Sequence, residues 1–223
     1  MTFKLFIQAI TKLFFGVLWV GFFIFIPAGT LFFANGWLFM TVLFVPMLFA
    51  GLIMMIQNPE LLKRRLYAKE QQKAQSKLIR LSGLMFTTGF IVSGLDFRFH
   101  WSNLPGCVVA IASFVFLLAY LLYAEIIREN MYLSRTIEVQ ENQRVIDTGL
   151  YGIIRHPMYL ATILLFLAMP IILGSIWAFV VFLAYPFILI QRIRYEEIFL
   201  EQELAGYSAY KQKVKYRLIP FIW

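Results

Sequence analysis

Arg155, His156 and Pro157 stand at the mouth of an apolar run, inside Gly149-Leu150-Tyr151-Gly152-Ile153-Ile154-Arg155-His156-Pro157-Met158-Tyr159. Here an otherwise apolar chain becomes dense in groups able to do chemistry. Gly149 supplies a turn and Tyr151 and Tyr159 flank it. Pro157 has no N–H to lose in a first helical turn, so it marks a helix start. Arg155 and His156 then fall in the loop before that helix, beside its free backbone N–H groups, a place that suits an anion or a cofactor headgroup. Further on, Arg192-Ile193-Arg194-Tyr195-Glu196-Glu197 follows an uncharged run containing Pro186. A proline there can kink the helix and aim its charged end inward. Both clusters have plainer readings. Arg-His can be interfacial anchoring, and Arg192/Glu196 (i, i+4) with Arg194/Glu197 (i, i+3) can be intrahelical pairs worth about 0.2–0.5 kcal/mol each.

The elements that must position these residues are membrane helices. The 223 residues are 61% hydrophobic and 18% aromatic, where soluble domains are about half apolar. Long uncharged runs predict an all-α polytopic membrane protein of about six segments. These are Leu13–Ala34, Trp37–Gln57, Leu78–Leu95, Pro105–Ile127, Met158–Leu173 and Ile176–Gln191, the last two a tight pair around Gly174-Ser175. Asn35-Gly36 and Asp96–Leu104 read as turns. Asn58-Pro59-Glu60 reads as a cap opening a basic stretch over 61–77, either an interfacial helix lying on the membrane or a solvated connecting loop. The tail continues as helix to Leu204 and then loosens. The first apolar run is too long for a cleavable signal peptide. No Ser/Gly/Pro-rich linker divides the chain, so one membrane domain is expected, and Cys107 reads as a small core hydrophobe.

On the six-segment reading, every one of the 20 basic residues except Arg98 falls on one side, which the positive-inside rule makes cytoplasmic, with both termini. Each of the three turns opposite carries one tryptophan, Trp37, Trp101 and Trp177, in the manner of an aromatic belt. The net charge of +8 is therefore topology and attraction to anionic membrane lipids, not a nucleic-acid footprint. One His on the cytoplasmic side and no nearby Cys make no metal-ligand set.

Over about residues 143–223 the chain resembles the isoprenylcysteine carboxyl methyltransferase family. The resemblance rests on Gly-x-Tyr, Arg-His-Pro-x-Tyr, an apolar hairpin, Arg-x-x-x-Glu-Glu-x-x-Leu, Tyr207-x-x-Tyr210 and Leu218-Ile219-Pro220. It implies an integral membrane enzyme that uses S-adenosyl-L-methionine. Residues 141–223 would form the cofactor-binding half, and residues 1–140 would serve the acceptor. The look is of the bacterial-type members, hence an inner-membrane location. Ala161 stands where the family often has Gly.

The resemblance carries Arg155, Arg192 and Glu197 onto positions tied to activity. Gln143, Val145, Gly149, Tyr151, His156, Pro157, Tyr159, Glu196 and Tyr210 fall on the cofactor cavity. S-adenosylmethionine needs a carboxylate for its ammonium, met by Glu197 or Glu196. It needs an Arg or helix N-terminus for its carboxylate, met by Arg155 or Arg192, and aromatic walls near its sulfonium. The implied reaction is methyl transfer to a lipophilic acceptor, foremost carboxyl O-methylation of a prenylcysteine-like or other lipidic acid. Phospholipid, amine and thiol acceptors stay open. An NADPH-dependent sterol-type reductase shares Arg-His-Pro-x-Tyr, but its flanking Asn, Gly and acid are missing around Tyr159. A non-catalytic membrane scaffold would leave both charged clusters unexplained.

Overall fold

The computed structural model describes residues 2–67, 73–130, 132–133 and 138–223. Among these the chain is helical, with no strand beyond one isolated bridge between Ile154 and Tyr216. Five helical stretches are long and apolar enough to cross a membrane, and Pro157–Ile172 is a shorter sixth. At 1.5 Å per residue that sixth helix is about 24 Å long, just short of a ~30 Å hydrocarbon core.

The first two helices, α1 (Thr2–Ala28) and α2 (Ala34–Gln57), form a hairpin. The turn lies at Gly29–Phe33 and not at the expected Asn35-Gly36. Gly29 has φ +71 and donates its N–H to the Phe25 and Ile26 carbonyls at 3.1 Å, closing α1 as only a residue without a side chain does cheaply. Helix α3 (Pro59–Tyr67) follows, with Leu61 N–H donating to the Asn58 side chain at 3.1 Å, as the cap reading required. Residues 68–72 of the basic stretch lie outside the described ones.

Helix α4 (Lys73–Phe99) extends past both expected ends. Asp96, read from the sequence as part of a polar turn, is inside the helix and 2% exposed. Its carboxylate accepts from Ser102 N–H and Ser102 Oγ, both at 2.7 Å, and from Ser175 Oγ. Three donors make the buried charge tolerable and pin two turns together at this end of the bundle. Ser175 Oγ also caps the helix that follows it, accepting Ala178 N–H at 3.0 Å. Trp37, Trp101 and Trp177 are exposed around these turns.

Helix α5 (Gly106–Glu129) packs along α6 (Pro157–Ile172). The last apolar run is broken into α7 (Ile176–Phe182) and α8 (Ala184–Glu203). Pro186 explains the break: it offers no N–H to the Phe182 carbonyl four residues earlier, and its ring crowds that oxygen. Phe39, Phe90, Phe116 and Phe182 fill the centre of the bundle. A short helix α9 (Tyr207–Lys213) and the tail to Trp223 close the opposite end, where the Arg-His-Pro loop sits.

Candidate functional site

Pro157 occupies the first turn of α6 and His156 is its N-cap. The loop before them is clamped by the chain's tail. Arg155 N–H donates to the Tyr216 carbonyl and His156 N–H to the Arg217 carbonyl, both at 2.9 Å. The Arg155 guanidinium is buried and donates through one terminal nitrogen to the Val214 and Lys215 carbonyls at 2.6 and 2.8 Å. Its Nε–H goes to Glu197 Oε1 at 2.8 Å.

Glu197 is the hub beneath this loop. It also meets His156 Nε2 at 3.1 Å and takes the Nε–H of Arg217 on its other oxygen at 2.9 Å. An ionised carboxylate only accepts, so His156 carries its proton on Nε2. Arg194, which the (i, i+3) spacing offers to Glu197, is exposed on α8 and makes no ion pair among the described residues.

One residue earlier, Glu196 turns to a different neighbourhood. The Tyr159 hydroxyl donates to Glu196 Oε2 and accepts Nε–H of Arg192 at 2.9 Å. Arg192 and Glu196 are thus joined through the Tyr159 oxygen. The Tyr159 ring stacks on His156, centroids 5.6 Å apart, which ties this trio to the Glu197 hub below.

Above the trio opens a cleft with a free volume of about 110 Å³. Gln143, Val145, Tyr151, Arg155, His156, Tyr159, Arg192, Glu196 and Tyr210 line it. Gly149, Pro157 and Glu197 do not. Gly149 opens a short 3-10 helix, Gly149–Gly152, at φ +47, and an added Cβ would stand 2.2 Å from the Glu129 carboxylate. That carboxylate takes Thr148 Oγ–H at 3.0 Å and Leu150 N–H at 3.3 Å, so Gly149 shapes the wall from behind.

Other lining residues were not singled out as site residues by sequence reasoning, among them Glu138, Leu200, Leu204 and Tyr207. Leu200 shares the face of Glu196 one turn on in α8, a helical spacing that was available as a signal, while Leu204 and Tyr207 follow the end of that helix and left no such periodic mark. Burial pushes the phenols of Tyr151, Tyr207 and Tyr210 far above their usual range. All three stay protonated and able to donate. Tyr210 gives its proton to the Tyr151 carbonyl at 2.8 Å, while Tyr207's hydroxyl is enclosed and has no hydrogen-bond partner among the described residues.

Every described residue lining the cleft, apart from Tyr207 and Tyr210, lies between Asn130 and Leu204. Residues 103–205 match the phospholipid methyltransferase family. The matched stretch is just under half of the chain and carries the loop, the trio and the Glu197 hub. The match suggests membrane methyltransferase activity. No curated protein matches the chain. No group of three or more His, Cys, Asp or Glu able to hold a metal ion occurs among the described residues.

Proposed function

We propose that the chain transfers a methyl group from S-adenosylmethionine to a lipophilic acceptor at the cytoplasmic membrane boundary. The observation that carries this reading is the coincidence of the cleft with the stretch that matches the methyltransferase family. The residues fit the cofactor: the Glu196 carboxylate and the Arg192 guanidinium both line the cleft, and tyrosines with Val145, Leu200 and Leu204 wall the remainder. When bound, S-adenosylmethionine supplies an electrophilic methyl on a sulfonium.

Glu196 is the group we assign to the cofactor's ammonium, because it faces the cleft while Glu197 lies under it. Arg192 is assigned to an anionic oxygen of the acceptor, its Nε held by Tyr159 so that its planar end is aimed. Arg155, His156 and Glu197 act as positioning residues that hold the loop over the cleft. Gln143, Val145, Tyr151 and Tyr210 are assigned to the cofactor's walls, with Gly149 and Pro157 setting the backbone that carries them. A tyrosine face near the sulfonium would add cation–π attraction of about 0.5–2 kcal/mol.

A carboxylate acceptor is ionised at neutral pH and needs no base, so orientation and exclusion of water supply most of the rate. This favours a lipidic acid, prenylcysteine-like or other, at a site with a single nearby His. The family match favours a second acceptor, the amine of a phospholipid. An ammonium headgroup must first lose a proton, and the Glu196 carboxylate, which lines the cleft, is a group able to take it. Both acceptors arrive laterally from the membrane while the cofactor enters from water, and a site at the end of the bundle serves both.

Calorimetry on the detergent-purified chain tests the assignment. Binding of S-adenosylhomocysteine with no comparable heat from NADPH supports it. Tight NADPH binding with no response to the sulfur compound favours the reductase.

A further inference from the structure

We propose that Tyr207 is a binding residue for S-adenosyl compounds, its hydroxyl donating a hydrogen bond to an acceptor atom of the ligand in the cleft. The inference rests on the reading of the cleft given above. Tyr207 is 4% exposed, its ring 5.8 Å from that of Tyr210 and packed with Leu204 and Val214. Packing alone would be served by phenylalanine.

The hydroxyl is what packing does not explain. It is enclosed, no described protein group pairs with it, and Tyr207 is one of the residues that line the cleft. Buried hydroxyls are almost always partnered, because burying one unpaired forfeits its hydrogen bonds to water. Its tyrosine neighbours obey that rule: Tyr159 is held between Glu196 and Arg192, and Tyr210 by the Tyr151 carbonyl. Burial, reinforced by the nearby Glu197 and Glu196 charges, keeps the Tyr207 phenol protonated. A protonated, partnerless hydroxyl at a ligand cleft is an unused donor. Val145, Leu200, Leu204 and Tyr210 cluster with it as apolar walls suited to adenosine, whose ring nitrogens and ribose oxygens accept hydrogen bonds.

Tyr207→Phe removes the oxygen and keeps the ring. Two readouts are needed: S-adenosylhomocysteine affinity by calorimetry, and the unfolding midpoint without ligand. We expect affinity to fall about 2- to 12-fold, the worth of one neutral hydrogen bond, while the unliganded midpoint holds or rises. Tyr210→Phe, which breaks a bond to the Tyr151 carbonyl, should instead lower the unliganded midpoint. Wild-type binding that Tyr207→Phe leaves unchanged overturns the inference and spares the cofactor reading. A lowered unliganded midpoint in Tyr207→Phe also overturns it, because the hydroxyl would then have a protein partner. A wild-type chain that binds neither S-adenosylmethionine nor S-adenosylhomocysteine overturns both.

Discussion

Glu197 accepts the Nε–H of Arg155 at 2.8 Å, with both side chains almost wholly out of solvent. The bond joins residues 42 positions apart and fastens α8 to the loop that opens α6. Glu197 is enclosed in this bond while Glu196 lines the cleft, and on the proposed reading Glu197 holds the architecture and Glu196 meets the ligand.

That division predicts opposite outcomes for two similar substitutions. Glu197→Gln leaves Arg155 and Arg217 without their counter-charge, and breaking a buried pair in this way costs about 3–5 kcal/mol. A lower unfolding midpoint in detergent is the expected result. Glu196→Gln should melt near wild type and lose about 10- to 150-fold in cofactor affinity, the worth of one charge-assisted hydrogen bond. Normal melting of Glu197→Gln with lost affinity would return the ammonium contact to Glu197.

Tyr159→Phe removes the atom through which Arg192 and Glu196 are joined. Single-turnover methyl transfer should slow by roughly 10- to 150-fold, since at least one charge-assisted bond worth about 1.5–3 kcal/mol is lost. Arg192→Lys keeps the charge but loses the planar fork. It should slow the same step while leaving cofactor affinity within a few-fold. Equal loss of affinity and rate in Arg192→Lys would place Arg192 on the cofactor and not on the acceptor.

Much of this bundle was legible beforehand because its signals are local. Uncharged runs located the helices, Pro157 marked the start of α6, Gly174-Ser175 the following turn, and Pro186 the break in the last run. Asn35-Gly36 misled because a turn-prone pair says nothing of Gly29 six residues earlier, whose left-handed backbone ends α1 first. Asp96 misled because a charge at a membrane boundary reads as loop unless its donors, Ser102 and Ser175, are known to be near. The choice between Glu196 and Glu197 was open for a related reason. Adjacent helical positions differ by about 100° of rotation, and only the packing of the tail carbonyls and Arg217 around Arg155 and Glu197 shows which one is enclosed. The tail pairing through Tyr216 and Arg217 is long-range and left no mark in local composition.

Gly149→Ala tests the wall of the cleft from behind. A side chain at φ +47 costs about 1–2 kcal/mol, and here the added carbon also meets the Glu129 carboxylate. The variant should melt below wild type in detergent. Glu129→Ala alone loses the Thr148 and Leu150 hydrogen bonds, and against that single variant the added Gly149→Ala change should cost only the backbone part. No further loss in the double variant relative to Glu129→Ala would show that the left-handed backbone carries no cost.

The orientation of the bundle is checked by cysteine labelling in a Cys107→Ser background. Phe32→Cys and Asn103→Cys lie at the tryptophan-bearing end, and both positions are exposed. They should react with an impermeant reagent in intact cells. Glu141→Cys, exposed at the cleft end, should react only after permeabilisation. Labelling of Glu141→Cys from outside would invert the bundle and remove the cofactor's cytoplasmic entry.

The most direct measurement is transfer of radiolabelled methyl from S-adenosylmethionine into a membrane lipid extract by the purified chain, followed by mild base. The account predicts label in a lipid fraction that depends on Glu196 and Arg192. Label released by base as volatile methanol identifies a carboxyl ester, and label that stays non-volatile identifies an amine or thioether. Absence of any label in lipid, from a folded chain given cofactor and a complete extract, would contradict the account.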